Sequence, residues 1–144
     1  MAEQKDWSFP AELRPKPEEW RFDLDAALDS VVQLRSEIPD DAFTAPLLGT
    51  ERAGNGVVIS ENGMVLTIGY LILEAEEVQI TTSKGRTVPA TVAAYDHATG
   101  FGLLRPLGPL DVKPIVLGNS ASVDALDRVL AWVTSQKGME WISV

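Results

Sequence analysis

From residue 31 onward, the hydrophobic and polar positions form short runs of β-forming residues separated by turn residues. Residues 31–35 alternate between apolar and polar near their end, as a half-buried strand does. Val78 and Ile80 alternate in the same way and are predicted to share one face of a strand. The predicted strands cover residues 31–35, 54–60, 64–67, 76–82, 87–95 and 101–104.

The strongest local signal is the pair Asn62-Gly63, which lies between two of these runs. Both residues tolerate positive φ, so the pair predicts a β-hairpin. A helical turn is predicted over residues 71–75, and Pro89 predicts a bend where proline interrupts the ladder of the strand 87–95. Short, regularly spaced strands predict a small antiparallel barrel or sandwich, and closure is favoured because a barrel has no open edge.

The two ends of the chain have different patterns. Residues 1–22 are rich in proline and charge, which favours an extended, partly ordered arm over a helix. The arm contains Trp7, Phe9, Trp20 and Phe22, and because aromatic residues are rare in linkers we expect it to pack, on its own domain in preference to another subunit. At the other end, prolines punctuate residues 106–127, and two β-rich runs follow at 128–134 and 141–144.

Composition narrows the classes of function. The 144 residues correspond to about one domain, and the net charge of -9, from 21 acidic and 12 basic residues, argues against a nucleic-acid partner. The absence of cysteine excludes disulfides, thiolate zinc sites and thiol catalysis. His97 is the one histidine, so a mechanism that needs an imidazole base must use it.

No targeting or membrane-spanning segment is visible in the sequence. The start has no apolar run of the kind found in secretory signals, and no stretch of apolar residues is long enough for a transmembrane helix. As written, the chain is expected to be cytoplasmic, without membrane insertion. A periplasmic or exported protein whose export signal has been removed is the alternative.

Several motifs follow one another in an order that resembles a known family. Residues 54–60 read G-N-G-V-V-I-S, and residues 61–67 read E-N-G-M-V-L-T. Residues 78–92 contain a strand, an S-K-G-R turn and a P-A-T-V strand, and 114–123 read P-I-V-L-G-N-S-A-S-V before V-L-A-W-V at 129–133. Together they resemble the first barrel of HtrA/Deg-type trypsin-like serine proteases and the start of their second barrel. The resemblance covers residues 54–135.

The resemblance implies an all-β chymotrypsin fold with a Ser-His-Asp triad between two barrels. We expect a six-stranded antiparallel Greek-key barrel with an extended N-terminal arm and a partial second barrel. The predicted divisions are residues 1–27 for the arm, 28–106 for the first barrel, 107–127 for the inter-barrel connection and 128–144 for the first strands of the incomplete second barrel. These last strands are too few to close a barrel, so they are expected to pack on the first barrel or to pair across a subunit interface.

The triad positions can be located from the motifs of the family. Its histidine follows the strand that ends in L-T, and Tyr70 stands at that position here. Gly100 stands at the position of the aspartate, and the nucleophile of the family lies in a G-N-S-G-G-P motif that would come after residue 144. Tyrosine, with an ordinary pKa of about 10, is a poor base for a serine hydroxyl. Loss of triad members costs about four or more powers of ten in rate, so the chain is predicted to be inactive.

Rival catalytic sites are weaker. His97 lies beside Asp96 and could form a substitute dyad, but a solvated loop histidine is preferred. Residues 118–121 imitate the nucleophile loop, but they lack the Gly-Gly that forms an oxyanion hole, and they fit the inter-barrel connection. For Tyr70, filling the space of a buried histidine is preferred over a role as a ligand-facing phenol.

No cofactor or metal is expected. The acidic residues Glu74, Glu76 and Glu77 could gather a divalent cation, but a solvated charge run is preferred because no oxygen-ligand loop accompanies them. The G-N-G at residues 54–56 precedes a strand and not a helix, so it is not a phosphate loop.

The preferred function is a catalytically inactive, HtrA-type protease module that acts in protein or peptide binding or in assembly. HtrA-type proteases commonly trimerise through aromatic residues near the start of the protease domain, and the resemblance marks Trp20 and Phe22 as candidate contacts of a homo-oligomer. One alternative is a fragment of a serine endopeptidase whose nucleophile lies beyond residue 144, with a relocated base around His97. Another is a purely structural, degenerate domain.

Overall fold

Six strands form a closed antiparallel barrel. The structure is a computed structural model, which describes the backbone of residues 10–135 and 138–142 and side chains as far as Trp132. The order around the barrel is β1-β2-β3-β6-β5-β4, and β4 pairs back with β1. Because β1, β2 and β3 are consecutive neighbours and β4 returns beside β1, the barrel has the Greek-key arrangement that the resemblance implies. The strands are β1 Val31–Glu37, β2 Glu51–Val58, β3 Val65–Ile68, β4 Glu77–Thr81, β5 Thr87–Tyr95 and β6 Phe101–Pro106.

Alternating side chains of these strands fill the barrel. In β1, Val32 and Leu34 are fully buried, whereas Arg35 between buried neighbours is exposed. Val78 and Ile80 of β4 are buried together, as the alternation in the sequence predicts. The apolar core contains Val32, Leu34, Val58, Val65, Leu71, Ile72, Val78, Ile80, Val88, Ala90, Leu104 and Leu110.

The hairpin between β2 and β3 is confirmed, and the predicted bend in β5 lies elsewhere. Gly63 adopts a φ of 82° in the β2–β3 turn, which glycine accepts without steric cost. The predicted break at Pro89 is wrong, because Pro89 stays in register with Gln79 of β4 and its carbonyl accepts a bond from the Leu107 N–H. The irregularity of β5 falls instead between Val92 and Ala94, where its register with β6 shifts.

Short helical elements flank the first strand. The described part of the arm has extended backbone at Arg14 and Lys16 with two single 3-10 turns, Ala11–Leu13 and Pro17–Glu19. A helix that the sequence analysis missed, α1 (Leu24–Asp29), follows the arm, and the long loop after β1 contains the short helix α2 (Ala45–Leu48). The arm residues Trp7 and Phe9 lie outside the described part of the chain.

The segment after the barrel returns along it and ends in a hairpin. The Ile115 N–H donates to the carbonyl of Val58, so the connection runs beside the end of β2. Two further strands, β7 (Ala131–Ser135) and β8 (Gly138–Ile142), pair with each other in an antiparallel sheet, and β7 lies near β2. Residues 136 and 137, between these two strands, are outside the described residues. No helix in the described part of the chain is long and apolar enough to cross a membrane.

Candidate functional site

The turn after β3 carries Tyr70. Thr67 is buried and its hydroxyl donates to the carbonyl of Asn55, which fixes the end of β3 against β2. The chain then forms a 3-10 turn, Gly69–Leu71, in which Leu71 enters the core. The Tyr70 side chain is 45% exposed, so it does not fill a buried cavity as the sequence interpretation preferred.

The turn between β5 and β6 carries Gly100. Its conformation is built by Asp96, whose carboxylate accepts bonds from the Thr99 hydroxyl (2.8 Å) and the Ala98 N–H (3.0 Å). These two bonds, the Thr99 hydroxyl foremost, hold the pKa of Asp96 below its usual range. Gly100 closes the turn with a φ of 76°, and a Cβ placed there would point into open space.

These two turns meet. The Gly69 N–H donates to the carbonyl of Gly100 over 2.6 Å, so the residues that follow β3 and precede β6 lie side by side. Ile68 and Phe101, which are paired in register, extend the contact into the sheet. The fold therefore places Gly100 beside Gly69, the residue before Tyr70; Tyr70 and Gly100 are the residues that the sequence analysis predicts at the positions of the histidine and the aspartate.

Tyr95 occupies the space above this junction. Its ring lies against Gly69 so closely that a Cβ at that residue would be 2.1 Å from the ring atom Cε2. His97 packs edge-on against the same ring, with the centroids 4.4 Å apart. The histidine is exposed on its turn, in agreement with the preferred interpretation of a solvated loop residue. The neighbouring Asp96 is bonded to Ala98 and Thr99, as a turn-forming carboxylate.

The chemistry available at the junction follows from these groups. Triad catalysis needs an imidazole that takes a proton from serine and a carboxylate that orients the imidazole. Tyr70 offers a phenol in place of the imidazole, and Gly100 has no side chain to orient it. The arrangement can donate hydrogen bonds and stack with aromatic or apolar groups, which suits binding better than proton transfer.

A family model described as a trypsin-like peptidase domain matches residues 54–143, which is more than half of the chain. The match begins in β2 and includes both turns of the junction. The chain belongs to the trypsin-like peptidase family.

The relatives of this trypsin-like chain include HtrA-type proteases. It is 32% identical over 109 residues to serine protease HTRA2, mitochondrial, of Drosophila grimshawi, which covers 72% of this chain and 25% of that protein. The same protein of Drosophila persimilis is 33% identical over 128 residues, covering 83% of this chain and 29% of the relative. Serine protease HTR4 of Rattus norvegicus is 27% identical over 79 residues, 55% of this chain and 16% of the relative. The HtrA-type resemblance is confirmed, and the chain spans less than a third of the length of these relatives.

A buried arginine holds the turn that carries Tyr70. Arg52 of β2 is only 3% exposed, and its guanidinium Nη1 donates to the carbonyls of Tyr70 (2.7 Å) and Leu73 (3.0 Å). It also donates from Nη2 to the Thr44 hydroxyl (2.8 Å) and from Nε to the carbonyl of Gly49. Arg52 therefore ties the loop after β1 to the turn after β3, and these bonds satisfy a charge that would otherwise be costly to bury.

Glu74 completes this connection from the other side. Its carboxylate accepts bonds from the N–H groups of Phe43 (3.0 Å) and Thr44 (2.8 Å) and from the Thr44 hydroxyl (2.5 Å). The Thr44 hydroxyl is the main cause that holds the pKa of Glu74 below its usual value, and the charge of Arg52 adds to it. Glu74 thus fixes the loop after β1, a role that the interpretation of residues 74–77 as a solvated charge run did not include.

The remaining candidate residues lie away from this junction in sequence. Ser120 begins an exposed 3-10 turn, Ser120–Ser122, that the side chain of Asn119 caps by accepting a bond from the Ala121 N–H. That geometry belongs to a surface turn of the connection. The glycines Gly54 and Gly56 lie within β2, where each lets a core side chain approach the backbone, so the G-N-G stretch is part of a strand, as expected.

Trp20 and Phe22 form an aromatic pair at the end of the arm. Their ring centroids are 5.6 Å apart, and the guanidinium of Arg128 lies 5.0 Å from the centroid of the Trp20 ring. Trp20 is half-buried and Phe22 is 48% exposed. Phe22 also borders an apolar cavity of about 310 Å³ between α1 and the connection, with Ile115 and Val116 on the opposite side.

Proposed function

We propose that this chain is a catalytically inactive module of the HtrA type that binds or assembles proteins. The observation that supports the proposal is the junction of the two turns, where the residues predicted to stand at the triad positions are Tyr70 and Gly100. A family member without the imidazole and the carboxylate retains the scaffold of a protease and loses its proton-transfer chemistry.

The position of Tyr95 supports the same proposal. Its ring covers the backbone of Gly69 and is packed against His97. The His97 imidazole would have to leave this ring contact to reach the junction. A relocated base at His97 is disfavoured because the only carboxylate beside it in sequence, Asp96, is committed to its turn. The aromatic groups Tyr70 and Tyr95 are instead suited to stacking against a polypeptide.

The proposal is tested with the longest natural form of the protein, so that any nucleophile encoded after residue 144 is present. Casein hydrolysis and labelling by a fluorophosphonate probe are measured for the wild type, for His97→Ala and for an active HtrA-type protease as the positive control. We expect no labelling and a hydrolysis rate about four or more powers of ten below that of the active protease. Labelling of the wild type that is lost in His97→Ala would establish a relocated base and overturn the proposal.

A further inference from the structure

The loop between β1 and β2 presents large apolar side chains to solvent. Phe43 is 90% exposed and Leu47 is 87% exposed, and Leu48 beside them is 42% exposed. We call these three side chains the apolar tip. Among the described residues nothing covers them, and exposed clusters of large apolar groups in a soluble protein commonly mark an interaction site.

The backbone under the apolar tip is held firmly. The N–H groups of Phe43 and Thr44 are bonded to the Glu74 carboxylate, and the Thr44 hydroxyl is bonded to both Glu74 and the buried Arg52. The helix α2 then forms directly after Thr44, and the Gly49 carbonyl at its end accepts the Arg52 Nε–H. A backbone held by these bonds loses little conformational freedom when a partner binds, so the apolar tip is a preorganised binding site.

The exposed charged residues of this loop, and of the segment bonded to it, are all acidic. Residues 37–51 contain four carboxylates and no basic residue, and residues 74–77, which bond to this loop, contain three more and again no basic residue. At the base of the loop, Glu37 is paired in register with Glu51 on one side and with Glu77 on the other. Like charges on directly opposed strand residues are unfavourable for the barrel, and of these three carboxylates Glu51 forms an ion pair, with Arg35 at 3.3 Å.

We propose that the apolar tip and the carboxylates around it form a docking surface for a polypeptide segment that combines large apolar side chains with lysine or arginine. The inference rests on the proposed binding function and narrows it to one surface and one class of partner. Charge complementarity selects this occupant, since the carboxylates repel nucleic acids and anionic lipid surfaces and attract a basic segment. Self-association through the apolar tip is disfavoured, because the same acidic surface would face itself.

The surface is tested by fluorescence anisotropy with a labelled synthetic peptide. The peptide alternates Lys and Leu residues and contains two Phe residues. Two matched peptides replace every Lys by Glu, or every Leu and Phe by Ser. We expect binding of the first peptide alone, with an affinity that falls as salt is added. Equal binding of the Ser peptide would show that net charge alone attracts the peptide. Binding of the Glu peptide would show that the carboxylates do not take part in recognition. Either result overturns the proposal.

Variants locate the binding site. The double substitution Phe43→Ser/Leu47→Ser is expected to weaken the Kd about tenfold or more, because exposed anchors of this size carry much of a binding energy. The control Leu117→Ser/Val123→Ser removes two exposed apolar side chains from the connection, keeps the net charge, and is expected to leave the Kd unchanged. Equal losses for the two variants, or none for the first, would overturn the proposal.

The acidic part is tested with Asp40→Asn/Asp41→Asn against Glu12→Gln/Glu18→Gln, which changes the net charge equally in the arm. Only the first pair should weaken binding. Chemical-shift changes in an amide NMR titration should be confined to residues 37–51 and 74–77. Shift changes at another surface would contradict this docking surface but not the proposed binding function. Cleavage of the bound peptide would contradict the proposed inactivity but not the docking surface. Binding of the apolar tip to zwitterionic vesicles, or self-association by light scattering that Phe43→Ser/Leu47→Ser abolishes, would also overturn the choice of partner.

Discussion

Two glycines allow the turns of the junction to pack as closely as they do. At Gly69 the Tyr95 ring lies on the backbone, and at Gly102, the second residue of β6, the buried Ile72 side chain does the same. A Cβ at Gly102 would be 2.4 Å from the Cδ1 atom of Ile72, far inside van der Waals contact. Ile72 is 1% exposed and surrounded by the core, so it has no free space into which it could move.

The close approach at Gly102 predicts that Gly102→Ala destabilises the protein by about 1–3 kcal/mol, the range typical of an overpacked core. The matched control is Gly118→Ala, because a Cβ at Gly118 meets nothing within 4 Å. Chemical denaturation should show the control unchanged or slightly more stable, since alanine restricts the unfolded chain. A wild-type midpoint for Gly102→Ala would contradict this account of the packing.

The residues of the junction were only partly predictable from the sequence. Motifs located Tyr70 and Gly100, because each lies at a fixed distance from a recognisable strand. Tyr95 was missed, since its ring reaches from the end of β5 past the neighbouring strand β6 to Gly69, and no local pattern reports such a contact. Arg52 was missed for a related reason: it precedes the predicted strand 54–60, and a charged residue is expected at the surface. Its burial depends on acceptors in the loop after β1 and in the turn after β3.

At the scale of elements, Glu74 connects the loop after β1 to the turn after β3. The hydrogen bonds from Thr44 and Phe43 favour the ionised carboxylate, so the pKa of Glu74 in the folded protein lies below its ordinary value of 4.5. A carboxyl group with a depressed pKa stabilises the fold at pH values above its unfolded pKa, and this contribution is lost as the pH falls through the folded pKa. The attachment of the loop should therefore weaken in acid.

This linkage predicts a pH-dependent effect of Glu74→Gln. At pH 7 the variant should have a lower free energy of unfolding than the wild type, because a neutral amide replaces a charged acceptor of three hydrogen bonds. The difference should shrink as the pH falls from the ordinary pKa of 4.5 through the lower pKa of the folded state, where the wild-type carboxyl becomes protonated as well. Urea titrations at several pH values measure it, with Glu61→Gln in the exposed β2–β3 turn as the control. A difference that stays constant with pH would contradict the role of the ionised carboxylate.

The strands were predictable and the helices were not. Runs of β-forming residues between turn residues located all six barrel strands, alternation supported two of them, and β5 has the predicted bounds. Helices α1 and α2, of six and four residues, are too short to show a helical period. A capping signal was present for α1, since the Asp23 carboxylate accepts a bond from the Ala26 N–H, but aspartate is equally common in turns.

At the scale of the whole molecule, the arm remains the candidate for assembly. The guanidinium of Arg128 lies over the Trp20 ring and also approaches Glu19 at 3.8 Å. Trp20 therefore already has a partner within this chain. Phe22 is half exposed beside an apolar cavity and is the better candidate for a contact with a second subunit. The expected trimer stays a prediction from the resemblance.

The oligomeric state is measured by size-exclusion chromatography with light scattering. We expect the wild type to form a trimer, and Phe22→Ala and Trp20→Ala to shift it toward monomer, because an apolar anchor is removed in each. Leu13→Ala is the matched control, since it truncates another exposed apolar side chain of the arm. A monomeric wild type, or equal dissociation by the control, would contradict assembly through these aromatics.

Barrel closure has a consequence for the order in which the chain folds. The β2–β3 and β5–β6 ladders join strands that a single turn connects, whereas the closing ladder pairs Gln33 of β1 with Thr81 of β4, across two intervening strands. The longer loop costs more entropy to close, so the hairpins are expected to form before the closing ladder. Glu74 lies three residues before β4 and accepts bonds from the loop that follows β1. These bonds are therefore expected to form late in folding, as β4 pairs with β1.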